Sequence, residues 1–191
     1  MIEKVRKNLE IGEVELKNFI NLDEEEKRKV LSWRNSDQIR HNMYTNEIIP
    51  WEEHLRFIEG LKTDDGNVYF LAFIGGQPVG AVYFTNVNWR HKRGVYGIYL
   101  RPDGKFPANT GLLLKDVVLE LAFKYMDFNT LNSEVLEGNK LAYIYNKRYG
   151  FKDEGRLRDY INRGDRALDV LLFGMLKSEY LEMVKTRETV R

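Results

Sequence analysis

The 191-residue chain contains no cysteine, which excludes disulfide bonds and a catalytic thiol nucleophile. Its three histidines are widely spaced, so a zinc site built from cysteine and histidine ligands is not expected. Nowhere does an apolar run reach the roughly 18 residues that span a bilayer. The first residues also lack the apolar centre of a signal peptide. We therefore predict a cytoplasmic protein with no bound metal.

An excess of one charge sign is also missing, because 30 lysines and arginines stand against 29 aspartates and glutamates. Such a chain has no overall field that would hold a nucleic acid or an anionic membrane, and neither is predicted as a partner. Hydrophobic residues make up 43% and charged residues 31%, as is ordinary for globular proteins. The length predicts one domain over residues 1–191, with a structured core over about 12–180 and charged, loose ends.

Hydrophobic periodicity predicts an α/β protein. The predicted strands cover residues 14–20, 68–74, 78–84, 94–100, 130–136, 151–161 and 166–173. The predicted helices cover residues 24–34, 50–61, 111–125, 139–149 and 177–183. Asp23 is the expected N-cap of the first helix, Gly75-Gly76 a hairpin turn, and Gly150 a C-terminal cap. This order predicts a mixed sheet of about seven strands, with helices on both faces and a late βαβ crossover.

The segment 105–112 connects a strand to a helix and is the first candidate for a binding site. A helix N-terminus carries unpaired N–H groups and partial positive charge, and a glycine there lets a pyrophosphate approach closely. Gly111 is the one glycine at this helix start. An ordinary strand-to-helix loop is the alternative, and spacing alone favours that alternative.

A second informative segment is the short helix that starts at Asn139, contains Ala142 and ends at Gly150-Phe151. Together the two segments resemble the Gcn5-related N-acetyltransferases (GNATs), in which this spacing recurs after the fifth strand. The resemblance implies the GNAT fold, with two neighbouring strands splayed apart, and acetyl-CoA as co-substrate.

The N-terminal third narrows the resemblance. Trp33-Arg34-Asn35, Met43-Tyr44-Thr45 and the segment 52–58 are similar to the amino-sugar acetyltransferases of pseudaminic acid biosynthesis. That similarity implies acetylation of the 4-amino group of a UDP-linked 4-amino-4,6-dideoxy-altrosamine derivative, by direct attack in a ternary complex. Two alternatives stay open. The acceptor is a protein N-terminal amine, as in ribosomal-protein acetyltransferases, or the chain is a degenerate, non-catalytic member that binds acetyl-CoA or nothing. A homodimer is also left open.

The resemblance further implies roles for individual residues. Acetyl-CoA binding is assigned to a splayed strand, a helix start and a helix cap: Ile98, Tyr99 and Leu100; Lys105, Asn109, Thr110, Gly111 and Leu112; and Asn139. The apolar wall that receives a deoxy sugar is assigned to Met43, Tyr44, Phe57 and Tyr96. Core packing is the alternative for these four, and it is at least as well supported for Phe57. Glu134 is expected to orient the amine or to pass its proton through water.

Two features depart from the family pattern, the phosphate loop and the position of the catalytic tyrosine. The phosphate loop usually opens with Arg or Gln followed by two glycines, but here these positions are Phe106, Asn109 and Gly111. The tyrosine that usually protonates the departing thiolate falls at Asn146, which cannot release a proton near neutral pH. Tyr145 is adjacent, although one residue along a helix turns a side chain by about 100°. A helix irregularity would bring Tyr145 into place, and otherwise water supplies the proton.

Overall fold

The structure is a computed structural model that describes residues 2–189. Its strands are β1 (Leu9–Ile11), β2 (Val14–Asn18), β3 (Val68–Ile74), β4 (Gln77–Asn88), β5 (Arg93–Leu100), β6 (Thr130–Leu136), β7 (Lys152–Asn162) and β8 (Ala167–Leu176). Its α-helices are α1 (Glu24–Arg34), α2 (Asp37–Arg40), α3 (Trp51–Gly60), α4 (Thr110–Glu120), α5 (Lys140–Arg148) and α6 (Lys177–Thr189). A π-helical turn, Leu121–Tyr125, continues α4.

The eight strands form one sheet in the order β1-β2-β3-β4-β5-β6-β8-β7. Only β5 and β6 pair in parallel within the described chain, and α4 forms the crossover between them. The predicted mixed sheet is thus confirmed, with eight strands instead of about seven. The additional strand, β1, pairs with β2 and extends the ordered core to before residue 12. Val5 is fully buried there, which explains why this charged segment is held in place.

Local capping chemistry placed several elements where they were predicted. Asp23 accepts a hydrogen bond from the N–H of Glu26 at 2.9 Å, and the Glu26 carboxylate accepts from the N–H of Asp23, a complete capping box. Gly75 and Gly76 have φ angles of 56° and 72°, as a tight hairpin turn requires. The strand predicted over 14–20 ends early because Asn18 caps a 3₁₀ turn by accepting from the N–H of Ile20 at 3.1 Å.

Alternating side chains build a core on each face of the sheet. On β3, Phe70 points to the face where Leu114 of α4 packs, and both are fully buried. The next residue, Leu71, points to the opposite face and packs with Val30 of α1 and Ile58 of α3. Because strand side chains alternate in direction, one strand supports both layers. The predicted helices on both faces are therefore confirmed.

The pairing between β5 and β6 stops after three residue pairs, of which the last is Val95 with Asn132. Beyond that point β5 remains paired with β4, and β6 with β8. The two strands therefore part, as the predicted GNAT fold requires. Tyr96 and Ser133 are the first residues after the pairing ends, and we call this position the apex of the splay.

Candidate active site

A cavity of about 410 Å³ lies between the sheet and helices α1 and α3. Its lining includes all four residues predicted to receive a deoxy sugar: Met43, Tyr44, Phe57 and Tyr96. Glu134, predicted to serve the amine, lines the same cavity. These residues come from the α2–α3 loop, α3, β5 and β6, so only the tertiary fold brings them together.

One wall of the cavity is aromatic. Tyr69 and Tyr83 stack with ring centroids 5.0 Å apart and an interplanar angle of 10°. Phe57 packs edge-on against Tyr69 at 5.1 Å, and Tyr83 donates to the sulfur of Met43 at 3.7 Å. Phe57 is 40% exposed, which argues against core packing as its role. The wall is an apolar surface with few polar atoms, which suits a methyl-bearing ligand.

Glu134 and Tyr44 form the acidic corner of the cavity. Tyr44 Oη donates to Glu134 Oε2 at 2.6 Å, which leaves Oε1 without a partner among residues 2–189. Burial is the main cause that raises the pKa of Tyr44, and the contact with the Glu134 carboxylate is the second. The tyrosine therefore stays protonated and holds the carboxylate in one position, so that the second oxygen can bind an amine.

Arg34 supplies a positive charge to the same cavity. Its Nη2 donates to the carbonyl of Thr45 at 2.8 Å, whereas Nη1 is buried and has no hydrogen-bond partner in the described part of the chain. Burial lowers the pKa of Arg34, but a guanidinium keeps its charge at neutral pH. A buried guanidinium with an unused donor is suited to an anionic group.

The start of α4 offers unused donors as well. Thr110 is fully buried, and its hydroxyl has no partner among the described residues. The N–H of Leu112 donates to the carbonyl of Asn109 at 2.9 Å, whereas that of Gly111 has no acceptor within residues 2–189. Asn109 is the N-cap but makes no side-chain cap bond. A helix start with a free N–H and a free hydroxyl fits the phosphates of a coenzyme A.

The other residues predicted to bind the cofactor lie at different places around this helix start. Ile98 and Leu100 pack toward α4, whereas Tyr99 lines the cavity on the opposite face. Lys105 is exposed. The side-chain oxygen of Asn139 accepts from the N–H of Ala142 at 3.1 Å, so this residue caps α5. Its amide nitrogen is the group left to contact a pantetheine arm.

Tyr145 and Asn146 point in different directions from a regular α5. A Cβ at Gly111 would lie 3.6 Å from Tyr145 Oη and 3.8 Å from Leu100 Cδ1, so the tyrosine reaches the start of α4. No helix irregularity is needed to bring it there. Asn146 is 1% exposed, donates to Ser133 Oγ at 3.0 Å and does not line the cavity.

Asn146 belongs to a buried polar cluster with Lys115, Tyr96 and Ser133. Lys115 Nζ donates to Asn146 Oδ1 at 2.8 Å and also contacts Tyr96 Oη, which itself donates to Asn146 Oδ1. Burial holds the pKa of Lys115 well below its usual range. These residues connect α4, β5, β6 and α5 at the apex of the splay.

The GNAT resemblance implies two splayed strands beside a helix start with free hydrogen-bond donors, and the structure has this architecture. A family model establishes the family. The model for the acetyltransferase (GNAT) domain matches residues 16–172. The chain belongs to the GNAT family. This membership makes it an acetyltransferase and confirms the family predicted from the two sequence segments.

Individual GNAT relatives agree with this assignment. Acetyltransferase PseH of Campylobacter jejuni is 34% identical over 129 residues, which are 68% of this chain and 78% of that protein. The crystal structure of that organism's PseH superposes with a TM-score of 0.67 at 25% identity, covering 86% of this chain and 98% of PseH. A spermidine N-acetyltransferase from Vibrio cholerae reaches a TM-score of 0.79 at 19% identity, covering 90% and 99% of the two chains. The last match shows the shared fold alone.

Several residues of this GNAT site were missed by reasoning from sequence. Arg34 lies in the Trp33-Arg34-Asn35 segment, but no role was predicted for it. Tyr69 and Tyr83 were predicted only as parts of strands. Lys115 was overlooked, although one signal was present. It has apolar residues three and four positions away, Leu112, Val118 and Leu119, which places a lysine on the buried side of its helix.

No helix described between residues 2 and 189 is long and apolar enough to cross a membrane. Within the same residues, no three histidine, aspartate or glutamate side chains lie close enough together to hold a metal ion.

Proposed function

We propose that the protein transfers the acetyl group of acetyl-CoA to the amino group of a nucleotide-linked amino sugar, as in pseudaminic acid biosynthesis. The observation that carries this proposal is the position of the splay between two unlike sites. On one side is the cavity with an aromatic wall, a carboxylate and an arginine. On the other side is the start of α4 with its free donors.

The donor side fits a coenzyme A. The free N–H of Gly111 and the buried hydroxyl of Thr110 would bind the pyrophosphate, with Tyr145 Oη beside them. The unpaired edge of β5 beyond Tyr96 would receive the pantetheine arm through backbone groups, one of which would polarise the thioester carbonyl. PseH of Campylobacter jejuni has been solved in complex with acetyl coenzyme A, which supports the same donor here. Acetyl-CoA supplies an activated acetyl thioester.

The acceptor side fits a deoxy amino sugar attached to a nucleotide. The aromatic wall around Phe57 and Tyr83 would receive the methyl group of a 6-deoxy sugar. Arg34 Nη1 would bind a phosphate of the nucleotide, which neutralises its buried charge. The free Oε1 of Glu134 would hold the amine and assist loss of its first proton.

The transfer is direct in this proposal. The chain has no cysteine, and an acyl-enzyme is not required when amine and thioester are held together. The neutral amine attacks the carbonyl from the cavity side. The thiolate leaves readily, since an ordinary thiol has a pKa of about 8.5.

The β7–β8 hairpin favours a small acceptor over a protein N-terminus. Arg163 donates to the carbonyl of Met43, and Tyr160 packs edge-on against Tyr44 with centroids 6.1 Å apart. The hairpin therefore covers the cavity wall where an open peptide groove would have to run. A peptide acceptor would need these contacts to open.

Incubation with acetyl-CoA and a panel of amines tests the proposal. The panel contains UDP- and dTDP-linked 4-amino-4,6-dideoxy sugars, the corresponding 6-hydroxy sugars, spermidine and a ribosomal-protein N-terminal peptide. Thiol release and mass spectrometry should reveal N-acetylation of a 6-deoxy nucleotide sugar, with slower turnover of its 6-hydroxy analogue. Acetylation of spermidine or the peptide in preference to every sugar would refute the assignment. Arg34→Met should weaken binding of the nucleotide-linked sugars of this panel, and Arg56→Met, which changes an exposed arginine of α3, is its matched control.

A further inference from the structure

Lys115 is a lysine without a charged partner. It is 2% exposed, and burial is the sole cause that lowers its pKa. The groups that face it are Tyr96 from β5, Asn146 and Tyr149 from α5, and Phe151 just after that helix; Ser133 of β6 lies behind Asn146. None of these neighbours is a carboxylate. At rest the lysine is therefore suited to the neutral amine form.

The cluster accommodates both protonation states of this lysine. Lys115 Nζ donates to Tyr96 Oη and to Asn146 Oδ1, and the Tyr96 hydroxyl donates to the same Asn146 oxygen. A neutral Nζ has a lone pair that can accept the Tyr96 proton when that hydroxyl turns away from Asn146. Protonated Nζ would lie 4.1 Å from the ring centroid of Tyr96 and 4.0 Å from that of Phe151. Aromatic faces stabilise a desolvated cation. A group that must gain and lose a proton within one turnover needs such surroundings.

The position of the cluster connects it to the reaction. Tyr96 and Ser133 are the first residues beyond the β5–β6 pairing, where the thioester and the acceptor amine would meet. Tyr96 is among the residues that line the cavity, and its hydroxyl contacts Lys115 on the α4 side of the sheet. Tyr145, one of the two proton sources left open by the sequence, lies instead at Gly111. Lys115 is four residues further along α4, which is about 6 Å deeper toward the apex.

We propose that Lys115, acting through the hydroxyl of Tyr96, carries the proton of the transfer from the attacking nitrogen to the departing sulfur. The nitrogen lone pair forms the C–N bond, and the nitrogen releases a proton to Tyr96 Oη while the proton of that hydroxyl passes to Lys115 Nζ. The C–S bond breaks, and sulfur leaves with its electron pair. The proton returns through Tyr96 to the sulfur. Amide and thiol are the products, and lysine and tyrosine end as they began.

This relay explains why Asn146 can stand at the position of the family's tyrosine. The shorter side chain leaves room for Lys115 Nζ, and its carbonyl oxygen accepts from that nitrogen at 2.8 Å. Asn146 is then a positioning residue that fixes the lysine and Tyr96 relative to each other. The inference rests on the proposed transfer to an amine and is independent of which sugar carries it.

The kinetic test compares the pH dependence of kcat in the wild type, Lys115→Met, Tyr96→Phe and the double variant. Lys115 must be neutral to accept a proton, so wild-type kcat falls as pH drops through the pKa of that lysine. Loss of the relay should lower kcat by about 10²–10⁴-fold and abolish this limb, with KM for acetyl-CoA unchanged. The double variant should be no slower than either single variant. Lys124→Met, which changes an exposed lysine of the adjoining turn, is the control.

A second measurement does not depend on turnover. NMR titration of ¹³C-labelled lysines, with the Lys115 signal identified by its loss in Lys115→Met, should show Lys115 titrating below all other lysines. Titration near the ordinary value of about 10.4 would overturn the inference whatever the substrate is. So would a Lys115→Met enzyme that keeps its acid limb and its kcat, or one that loses activity only because acetyl-CoA no longer binds. A wild type that acetylates no amine refutes the proposed function and the relay together, whereas a normal lysine pKa in an active enzyme refutes only the relay.

Discussion

A side chain added at Gly97 would collide with a neighbouring aromatic ring. Gly97 lies on β5 directly opposite Tyr83 of β4, and the Tyr83 ring lies across it. A Cβ at this position would overlap that ring. The ring cannot move freely, because it is half-buried and stacked on Tyr69 in the cavity wall. Glycine inside a strand often marks a bulge or a close approach, and Gly97 marks a close approach.

Gly97→Ala should destabilise the protein and disturb the acceptor site together. Overpacking a buried site typically costs about 1–3 kcal/mol. For a domain of this length, each kcal/mol lowers Tm by about 2–4 °C, so the expected loss is about 2–12 °C. Thermal unfolding measures the first effect, and KM for the acceptor measures the second. KM for acetyl-CoA should change less, because Tyr83 lines the acceptor cavity.

The matched control is Gly60→Ala. Gly60 is the last residue of α3, and a Cβ there meets no atom within 4 Å. The same chemical change should be neutral or stabilising by up to about 1 kcal/mol, because alanine favours the helix. Tyr83→Ala should also relieve the clash, so Gly97→Ala should cost less in that background. Equal Tm values for Gly97→Ala and the wild type, or an equal loss for both glycine variants, would refute the reasoning.

Three further predictions concern charged groups of the site. Glu134→Gln keeps an acceptor for Tyr44 but removes the negative charge, so kcat/KM for the amine should fall by about 10²-fold with Tm unchanged; an unaffected rate would exclude Glu134 from handling the amine. Arg34→Met should raise KM for a nucleotide sugar by about 10–150-fold, equivalent to about 1.5–3 kcal/mol, while an amino sugar without its nucleotide should show no change. Lys115 has a lower pKa when folded than when unfolded, so the unfolded chain binds more protons and wild-type stability should rise with pH up to about 10.4. Urea unfolding should show this rise, at most about 1.4 kcal/mol per pH unit, and Lys115→Met should lack it.

Local chemistry was sufficient for much of the fold. Asp23 followed by Glu26 predicts a helix start without any tertiary information, because the capping box satisfies N–H groups within four residues. Gly150, with φ of 82°, likewise ends α5 through its own backbone freedom. The spacing from Asn139 to Gly150, together with the segment that leads into α4, was enough to predict the family. These features depend on neighbours in the chain, which a sequence displays directly.

The first strand, β1, was not predicted because it depends on residues that are distant in the chain. Residues 2–11 are rich in charge, and nothing in their pattern predicts burial. Val5 is fully buried in the core beside β2, where Asn18, thirteen residues later, donates its amide to the Val5 carbonyl at 2.6 Å. Such a contact depends on pairing between segments and cannot be read from the segment itself.

The amino-acid sequence by itself determined that two adjacent side chains, Tyr145 and Asn146, lie about 100° apart on a helix. Which of them faces Gly111 at the start of α4 was decided by packing. The position of α5 against β6 turns Asn146 inward to Ser133 and Lys115, and it leaves Tyr145 to reach Gly111. Helical phase is a property of neighbouring residues, whereas the direction of each face depends on partners distant in the chain. The family could be predicted from the two sequence segments, whereas the position of the buried lysine at the apex of the splay emerged only from the tertiary structure.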